Sequence, residues 1–163
     1  MSLAKLLIEL GGKLGFEARL EVPAADAAWV DVVWFDQRLS PATFGAKTAT
    51  MRNAPVLPVV AFEIEIATGG NPKHVKGSVS NLNNLGAQLS VVVIGNASVA
   101  QLKKRTKAFA AVPEDKVRQI LLDRVHRWVF AEAHPVGRCV IMSEEEVVSW
   151  AARHGVPPKK SAA

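Results

Sequence analysis

Cysteine and long apolar runs are scarce in this chain, and each shortage excludes a class of protein. Cys139 is the only cysteine among the 163 residues, which excludes an intrachain disulfide and a zinc site built from cysteines. No apolar run reaches the roughly 18 residues that a membrane helix needs. We therefore expect a soluble cytoplasmic protein in a reducing compartment, with no membrane partner.

Motifs for several kinds of chemistry are also missing. The sequence has no GxxxxGK[ST] loop, no GxGxxG after a strand, and no serine or cysteine nucleophile motif. The four histidines have no ligand spacing relative to one another or to the acids. These absences exclude most nucleotide-binding folds and nucleophilic hydrolases.

What is present suits one globular domain. Hydrophobic residues make up 49% of the chain and charged residues 21%, which is ordinary for a domain with a sizeable core. Twenty Lys and Arg against 15 Asp and Glu give a net charge of +5, which weakly favours a polyanionic partner. We predict a single domain over residues 1–155, with a core at about 3–94 and an extension at about 98–155. A basic tail at 156–163 is expected to be disordered.

The hydrophobic pattern predicts an α/β fold with the order α-β-β-β-α-β, followed by a helical extension. Leucines at three- and four-residue spacing indicate a first helix, and Pro23 marks a turn after the first strand. Ser98 is predicted to cap a basic helix, and Ser143 with Glu146 a final one. The predicted strands are 16–22, 29–35, 56–67, 89–94 and 137–142, and further helices are predicted at about 73–86 and 114–134. We expect a mixed sheet of four or five strands flanked by helices.

Three acids interrupt the most apolar strands. Asp31 lies within WVDVVWF, and Glu63 and Glu65 lie within VLPVVAFEIEIA. An ionised carboxylate is costly to bury without a partner, and residues two apart on a strand share a face. Carboxylates that converge in this way suit Mg²⁺, Mn²⁺ or Ca²⁺. The alternative is structural: the glutamates pair with basic residues on a solvated face, and Asp31 caps a loop or pairs with Arg19.

The order of elements and acids resembles the core of the PD-(D/E)XK, or restriction-endonuclease-like, nucleases. Asp31 matches the lone aspartate of that pattern, and Glu63 matches the first acid of the (D/E)-x-K element. Glu65 stands where the family usually has lysine. FEIE followed by Thr68 and a lysine-bearing helix is similar to a recurrent form in the superfamily, and the resemblance covers about residues 3–94.

The resemblance implies a metal-dependent nuclease that cleaves DNA, of restriction, repair or mobile-element type, with RNA not excluded. Asp31, Glu63 and Glu65 would hold Mg²⁺, or Mn²⁺, against a phosphate oxygen and activate a water. A lysine is expected to assist that water, and Lys76 is the first candidate, ahead of Lys73 and Lys47.

Several polar and basic residues are candidates for contact with nucleic acid. They are Lys47 and Arg52 in the loop after the second strand, Lys73 and Asn81 on the second helix, and Lys103, Lys104 and Arg105 on the third. A solvated surface explains these residues equally well. The apolar helix containing Trp128 leaves a homodimer open.

Two other functions stay open. The chain could keep the nuclease fold but have lost activity, and serve as a nucleic-acid-binding or assembly module; the missing lysine of the acid-x-acid element favours this. It could also be an unrelated α/β domain whose acids form structural ion pairs.

Overall fold

A five-stranded mixed sheet forms the centre of the protein. The structure is a computed structural model, and it describes residues 1–25, 27–39, 57–68 and 70–157. The strands lie side by side in sequence order, with the first three antiparallel and the last three parallel. They are β1 Glu17–Ala25, β2 Ala28–Asp36, β3 Leu57–Glu65, β4 Leu89–Ile94 and β5 Arg138–Ser143.

Five α-helices cover the two faces of this sheet in the described part of the chain. They are α1 Leu3–Lys13, α2 Pro72–Leu85, α3 Asn96–Arg105, α4 Glu114–Arg127 and α5 Glu144–Arg153. Short 3-10 turns occupy Gln37–Leu39 and Lys107–Phe109, and a π-helical segment, Trp128–Ala133, continues α4. None of the described helices is long and apolar enough to cross a lipid bilayer.

Two apolar cores lie on opposite faces of the sheet. One packs Val33, Ala61 and Val92 against α2, α3 and α4. The other packs Val32 and Phe62 against α1 and α5. Consecutive residues of β2 and β3, such as Val32 and Val33, enter different cores, because strand side chains alternate between faces. The central strands are therefore apolar on both sides, which makes their acids conspicuous.

The indole of Trp34 anchors α1 to the sheet. Its Nε1 donates a hydrogen bond to the Leu7 carbonyl at 3.0 Å. Gly11 lies so close that a Cβ there would sit 2.6 Å from the same nitrogen. Gly11 therefore allows α1 to approach the ring closely, because it has no side chain.

The α/β class, the mixed five-stranded sheet flanked by helices and the element order α-β-β-β-α-β are confirmed. Ser143 forms the predicted capping box with Glu146. Ser98 does not cap α3: Gly95 holds that position, and the Ser98 hydroxyl donates to the carbonyls of Glu65 and Ile66.

One predicted boundary is wrong. Residues 23–25 belong to β1 and not to a turn, because β1 is an edge strand, where a proline costs no ladder hydrogen bond. The helix predicted at about 114–134 is present as α4 and the π-helical segment that continues it.

The C-terminal part of the chain completes the same sheet. β5 pairs with β4, and Val147 and Ala151 of α5 enter the core beneath α1. Val156 was predicted to lie in the tail but is buried in that core. Residues 158–163 lie outside the described residues.

Candidate functional site

The site is the place where β2 and β3 separate. Their pairing ends at Val32 opposite Phe62, whereas β2 stays paired with β1 as far as Ala28 and β3 stays paired with β4 as far as Glu65. Beyond that point the Ile64 N–H has no backbone acceptor on β2. It donates instead to Asp31 Oδ2 at 2.7 Å. Asp31 therefore completes the hydrogen bonding of β3 with a side chain.

Glu63 lies directly beside Asp31. The two carboxyl groups share a hydrogen bond, and the Asn81 side chain donates to Glu63 Oε1 at 3.0 Å. The same amide nitrogen is 3.3 Å from the Trp29 carbonyl oxygen. Asn81 thus connects α2 with both separated strands. It was predicted to contact nucleic acid; the structure assigns its amide to Glu63.

Glu65 is held by hydroxyl groups. Ser78 of α2 donates to its Oε1 at 2.5 Å, and Thr68 donates to Oε2. The Glu65 side chain is only 6% exposed. Two neutral donors therefore stabilise the third carboxylate, and each of its oxygens keeps a second lone pair.

Burial controls the ionisation of the acid pair. Desolvation, together with the charges of Asp31 and Glu65, raises the pKa of Glu63 to about 8 against the opposing hydrogen bond from Asn81. Desolvation also raises the pKa of Asp31, opposed by the Ile64 N–H and by the hydrogen bond with Glu63. At neutral pH the pair holds one proton more than two ordinary carboxylates would.

A small cavity opens beside Asp31 on the α1 side of the sheet. Its volume is about 180 Å³, and Glu21 and Asp31 supply its acidic wall. Ser2 at the start of α1 lines it, together with Leu20 and Ile66. A larger depression of about 630 Å³ on α5 contains none of the three acids. Of the three acids only Asp31 lines the smaller cavity. We place the candidate site there because the Asp31 carboxyl group shares a hydrogen bond with Glu63.

Asp31 and Glu63 fit a divalent cation. Two neighbouring carboxyl groups that must share a proton present oxygens that a cation would bind in the proton's place. Mg²⁺ is usually held by one or two carboxylates, with water and substrate oxygens completing its ligands. Among the described residues no group of three or more acids, histidines or cysteines is arranged for a metal ion. A cation bound here would therefore have Asp31 and Glu63 as its carboxylate ligands, and not the three acids that were predicted together.

The structure does not bring Lys76 to the acids. Its ammonium group pairs with Glu132 of the π-helical segment. Ser78, which contacts Glu65, is two residues away, and at 100° per residue the two side chains leave α2 on nearly opposite sides. The prediction that Lys76 assists the site therefore lacks geometric support. Lys73 is exposed at the start of α2, and Lys47 lies outside the described residues.

The other predicted nucleic-acid contacts divide into two groups. Lys103, Lys104 and Arg105 form the last turn of α3, whose first turn follows Gly95 beside Glu65 and Ile66. A ten-residue helix is about 15 Å long, so this basic cluster lies at the end of α3 that is remote from Glu65. Arg52, like Lys47, lies outside the described residues.

The residues that hold the acids were not predicted in that role. Asn81 was predicted only as a contact to nucleic acid, Ser78 was not among the predicted site residues, and Thr68 entered only through the family resemblance. Their spacing of three residues places Ser78 and Asn81 on one side of α2. That spacing was the available signal, but it does not say which strand the side would meet.

Comparisons of the chain with protein-family models, with curated proteins and with solved structures find no match.

Proposed function

We propose that this protein is a divalent-metal-dependent nuclease that hydrolyses phosphodiester bonds in DNA. One observation carries the proposal: the half-buried Asp31 and the buried Glu63 meet where β2 and β3 separate. No described lysine or arginine forms an ion pair with Asp31, Glu63 or Glu65. Two carboxylates so close together repel each other, and a bound cation would remove that repulsion. Acids that already formed ion pairs with basic residues would not need a cation.

Asp31 and Glu63 would hold Mg²⁺ or Mn²⁺ with one carboxylate oxygen each. The bound metal would supply Lewis-acid stabilisation of the phosphate and lower the pKa of a water. Asp31 Oδ2 is fixed by the Ile64 N–H, and Glu63 Oε1 by Asn81. Both ligands are therefore oriented before substrate arrives, which reduces the cost of reaching the reactive geometry.

Glu65 is proposed as the carboxylate that positions the attacking water. Ser78 and Thr68 keep its two oxygens in place, and the remaining lone pairs could accept hydrogen bonds from water. This role needs no direct bond between Glu65 and the metal. It also needs no lysine at the acid-x-acid element.

The charge of the molecule supports a nucleic acid as substrate. The net charge is +5, and the basic cluster of α3 lies at the far end of a helix that starts beside Glu65. Phosphate groups bind such clusters with release of counterions. DNA is the proposed substrate, and the cleavage assay described below tests RNA beside it.

The decisive experiment is a cleavage assay with matched acid variants. Supercoiled DNA, linear DNA and RNA are incubated with wild type, Asp31→Asn and Glu63→Gln in Mg²⁺ or Mn²⁺. Glu114→Gln, in the exposed first turn of α4, is the control. We expect cleavage by wild type and the control, and a loss of at least about 100-fold in both site variants. Absence of cleavage by wild type, or cleavage that survives both site substitutions, overturns the proposal.

A second candidate is a nucleic-acid-binding module that keeps the acids without catalysis. The position of Lys76 favours it, because that lysine pairs with Glu132 and not with the acids. This candidate predicts DNA binding without cleavage and a melting temperature that Mn²⁺ does not change. The nuclease predicts that Mn²⁺ raises the melting temperature, since a ligand that binds the folded state stabilises it.

A further inference from the structure

Three exposed apolar side chains lie near Asp31, the one of the three acids that lines the cavity on the α1 side of the sheet. Leu20 is 48% exposed, Trp29 is 55% exposed and Ile66 is 57% exposed. Leu20 and Ile66 line the same cavity as Asp31. Large apolar side chains in so small an area usually mark a binding surface.

Trp29 projects to the same side of β2 as Asp31. Val30, the next residue, is fully buried in the core beneath α2, so the Trp29 side chain leaves the strand on the other side. Asp31 lines the cavity on that side, together with residues at the start of α1. Residues two apart on a strand are about 6.6 Å apart. The Trp29 side chain is therefore the neighbour of Asp31, a proposed metal ligand, on this side of β2.

The backbone of Trp29 is fixed to the site. Its carbonyl oxygen and Glu63 Oε1 are within hydrogen-bond distance of one Asn81 nitrogen, at 3.3 and 3.0 Å. Trp29 also lies opposite Pro23 in the β1–β2 ladder. The ring thus stands on a well-held strand, although its surface is open to solvent.

We propose that Trp29 stacks on an unpaired base of the nucleic acid beside the scissile phosphate, so that the substrate is single-stranded or locally unpaired. This deepens the proposed function and rests on it. A base needs only one aromatic face, which every base can use, whereas a stable protein interface buries about 800 Å² on each partner. The patch has only three apolar side chains, and the acids Glu21 and Asp31 lie among them. It therefore suits a single base better than a protein partner. In a duplex the bases stack on one another and do not present that face.

Binding of short oligonucleotides in Ca²⁺ tests this inference. Fluorescence anisotropy compares single-stranded DNA, a duplex of the same sequence and an abasic strand with the same phosphates. The proteins are wild type, Trp29→Ala, Trp29→Phe and the control Leu57→Ala, which removes an exposed apolar side chain at the other end of β3. Thermal melting checks that each variant is folded.

We expect Trp29→Ala to weaken single-strand binding at least about fivefold, while Trp29→Phe and Leu57→Ala stay close to wild type. The abasic strand should bind wild type as weakly as the normal strand binds Trp29→Ala. Equal binding of the normal strand by wild type and Trp29→Ala overturns the inference. So does equal binding of normal and abasic strands by wild type, a result that does not depend on any variant folding.

Two further outcomes also count against it. Duplex binding that depends on Trp29 as strongly as single-strand binding overturns the substrate assignment. A dimer in sedimentation that Trp29→Ala dissociates would make the patch a self-association surface instead. The test of cleavage is separate. If wild type binds single strands through Trp29 but never cleaves them, the proposed nuclease function is wrong, whereas base stacking on Trp29 is confirmed.

Discussion

At the scale of single residues, the Asp31 side chain has two roles: it accepts a backbone hydrogen bond from β3, and it contributes to the charge of the site. Its Oδ2 accepts the Ile64 N–H, and its carboxyl group shares a hydrogen bond with Glu63. One role concerns the stability of β3 and the other concerns the charge of the site. Substitutions of different shape separate them.

Asp31→Asn should keep the fold and lose the site chemistry. The amide oxygen can still accept the Ile64 N–H, so we expect the free energy of unfolding to change little. Asp31→Ala leaves that partly buried N–H without a partner, which costs about 1–3 kcal/mol. Urea unfolding of both variants measures the difference. Equal destabilisation by the two substitutions would contradict the hydrogen-bond role of the side chain.

The residue scale also shows how far the sequence could predict the site. The sequence allowed the three acids to be selected, because burying an ionised carboxylate in an apolar strand costs free energy unless a partner stabilises it. These acids are Asp31, Glu63 and Glu65. Their partners could not be selected in the same way, since Asn81 and Ser78 are ordinary polar residues on a helix. The rotation of α2 about its own axis, relative to the sheet, decides which of its side chains contact the acids. For the same reason Lys76 could not be excluded from sequence.

At the scale of elements, the junction between β3 and α3 depends on close backbone contact. Gly95 precedes α3, and its N–H donates to the Glu65 carbonyl at 3.0 Å. A Cβ at Gly95 would lie 2.9 Å from the Cα of Ile66. The end of the acidic strand can therefore lie against the start of α3 only because residue 95 has no side chain.

Two glycine-to-alanine substitutions should have opposite effects. Gly95→Ala forces backbone atoms apart, and we expect destabilisation of about 1–3 kcal/mol. Gly77→Ala is the matched control: it lies inside α2 with no atom within 4 Å of the added Cβ, and alanine favours a helix over glycine by about 1 kcal/mol. Thermal melting measures both. A neutral Gly95→Ala would show that the junction can relax at no cost.

Elements were easier to predict from sequence than their ends. The runs LSVVVI and VLPVVAFEIEIA indicate buried strands because no helix phase could hide such continuous apolar surface on one side. Pro23 was misassigned because its tolerance in a strand depends on that strand lying at the sheet edge, which is a property of the assembled fold. The π-helical turn after α4 has no known periodic signature in its residues.

At the scale of the whole molecule, the acid pair makes stability depend on pH. Folded Glu63 keeps its proton until about pH 8, whereas its ordinary pKa is 4.5. Between these values the unfolded chain ionises Glu63 and the folded chain does not. The stability that this proton gives is present below about pH 4.5 and is lost as the pH rises through about 8.

Without metal, the free energy of unfolding should therefore fall as the pH rises, by at most about 1.4 kcal/mol per unit from Glu63. Denaturant titrations in chelator between pH 5 and 8 measure the slope, and Glu63→Gln should flatten it. Mn²⁺ should stabilise wild type more at pH 8 than at pH 5, because the cation competes with the proton. A slope that Glu63→Gln leaves unchanged would assign the effect to other groups.

Binding to DNA should depend on salt through the basic cluster of α3. Replacing Lys103, Lys104 and Arg105 by glutamine should reduce the slope of log K against log salt by as much as about 2–3. Lys5→Gln with Lys13→Gln on α1 is the control for lost charge elsewhere. Equal reductions per charge in the two variants would show that net charge alone, and not the α3 cluster, sets the affinity.

The gap between β2 and β3 has a spectroscopic consequence. Because the Ile64 amide proton is bonded to a carboxylate oxygen and not to a carbonyl, its chemical shift should follow the charge on Asp31. Protonation of the pair, exchange of that proton for a cation, and arrival of a phosphate would each move the same resonance. Ile64 is therefore a natural probe of occupancy, readable in the unmodified protein without a label at the site.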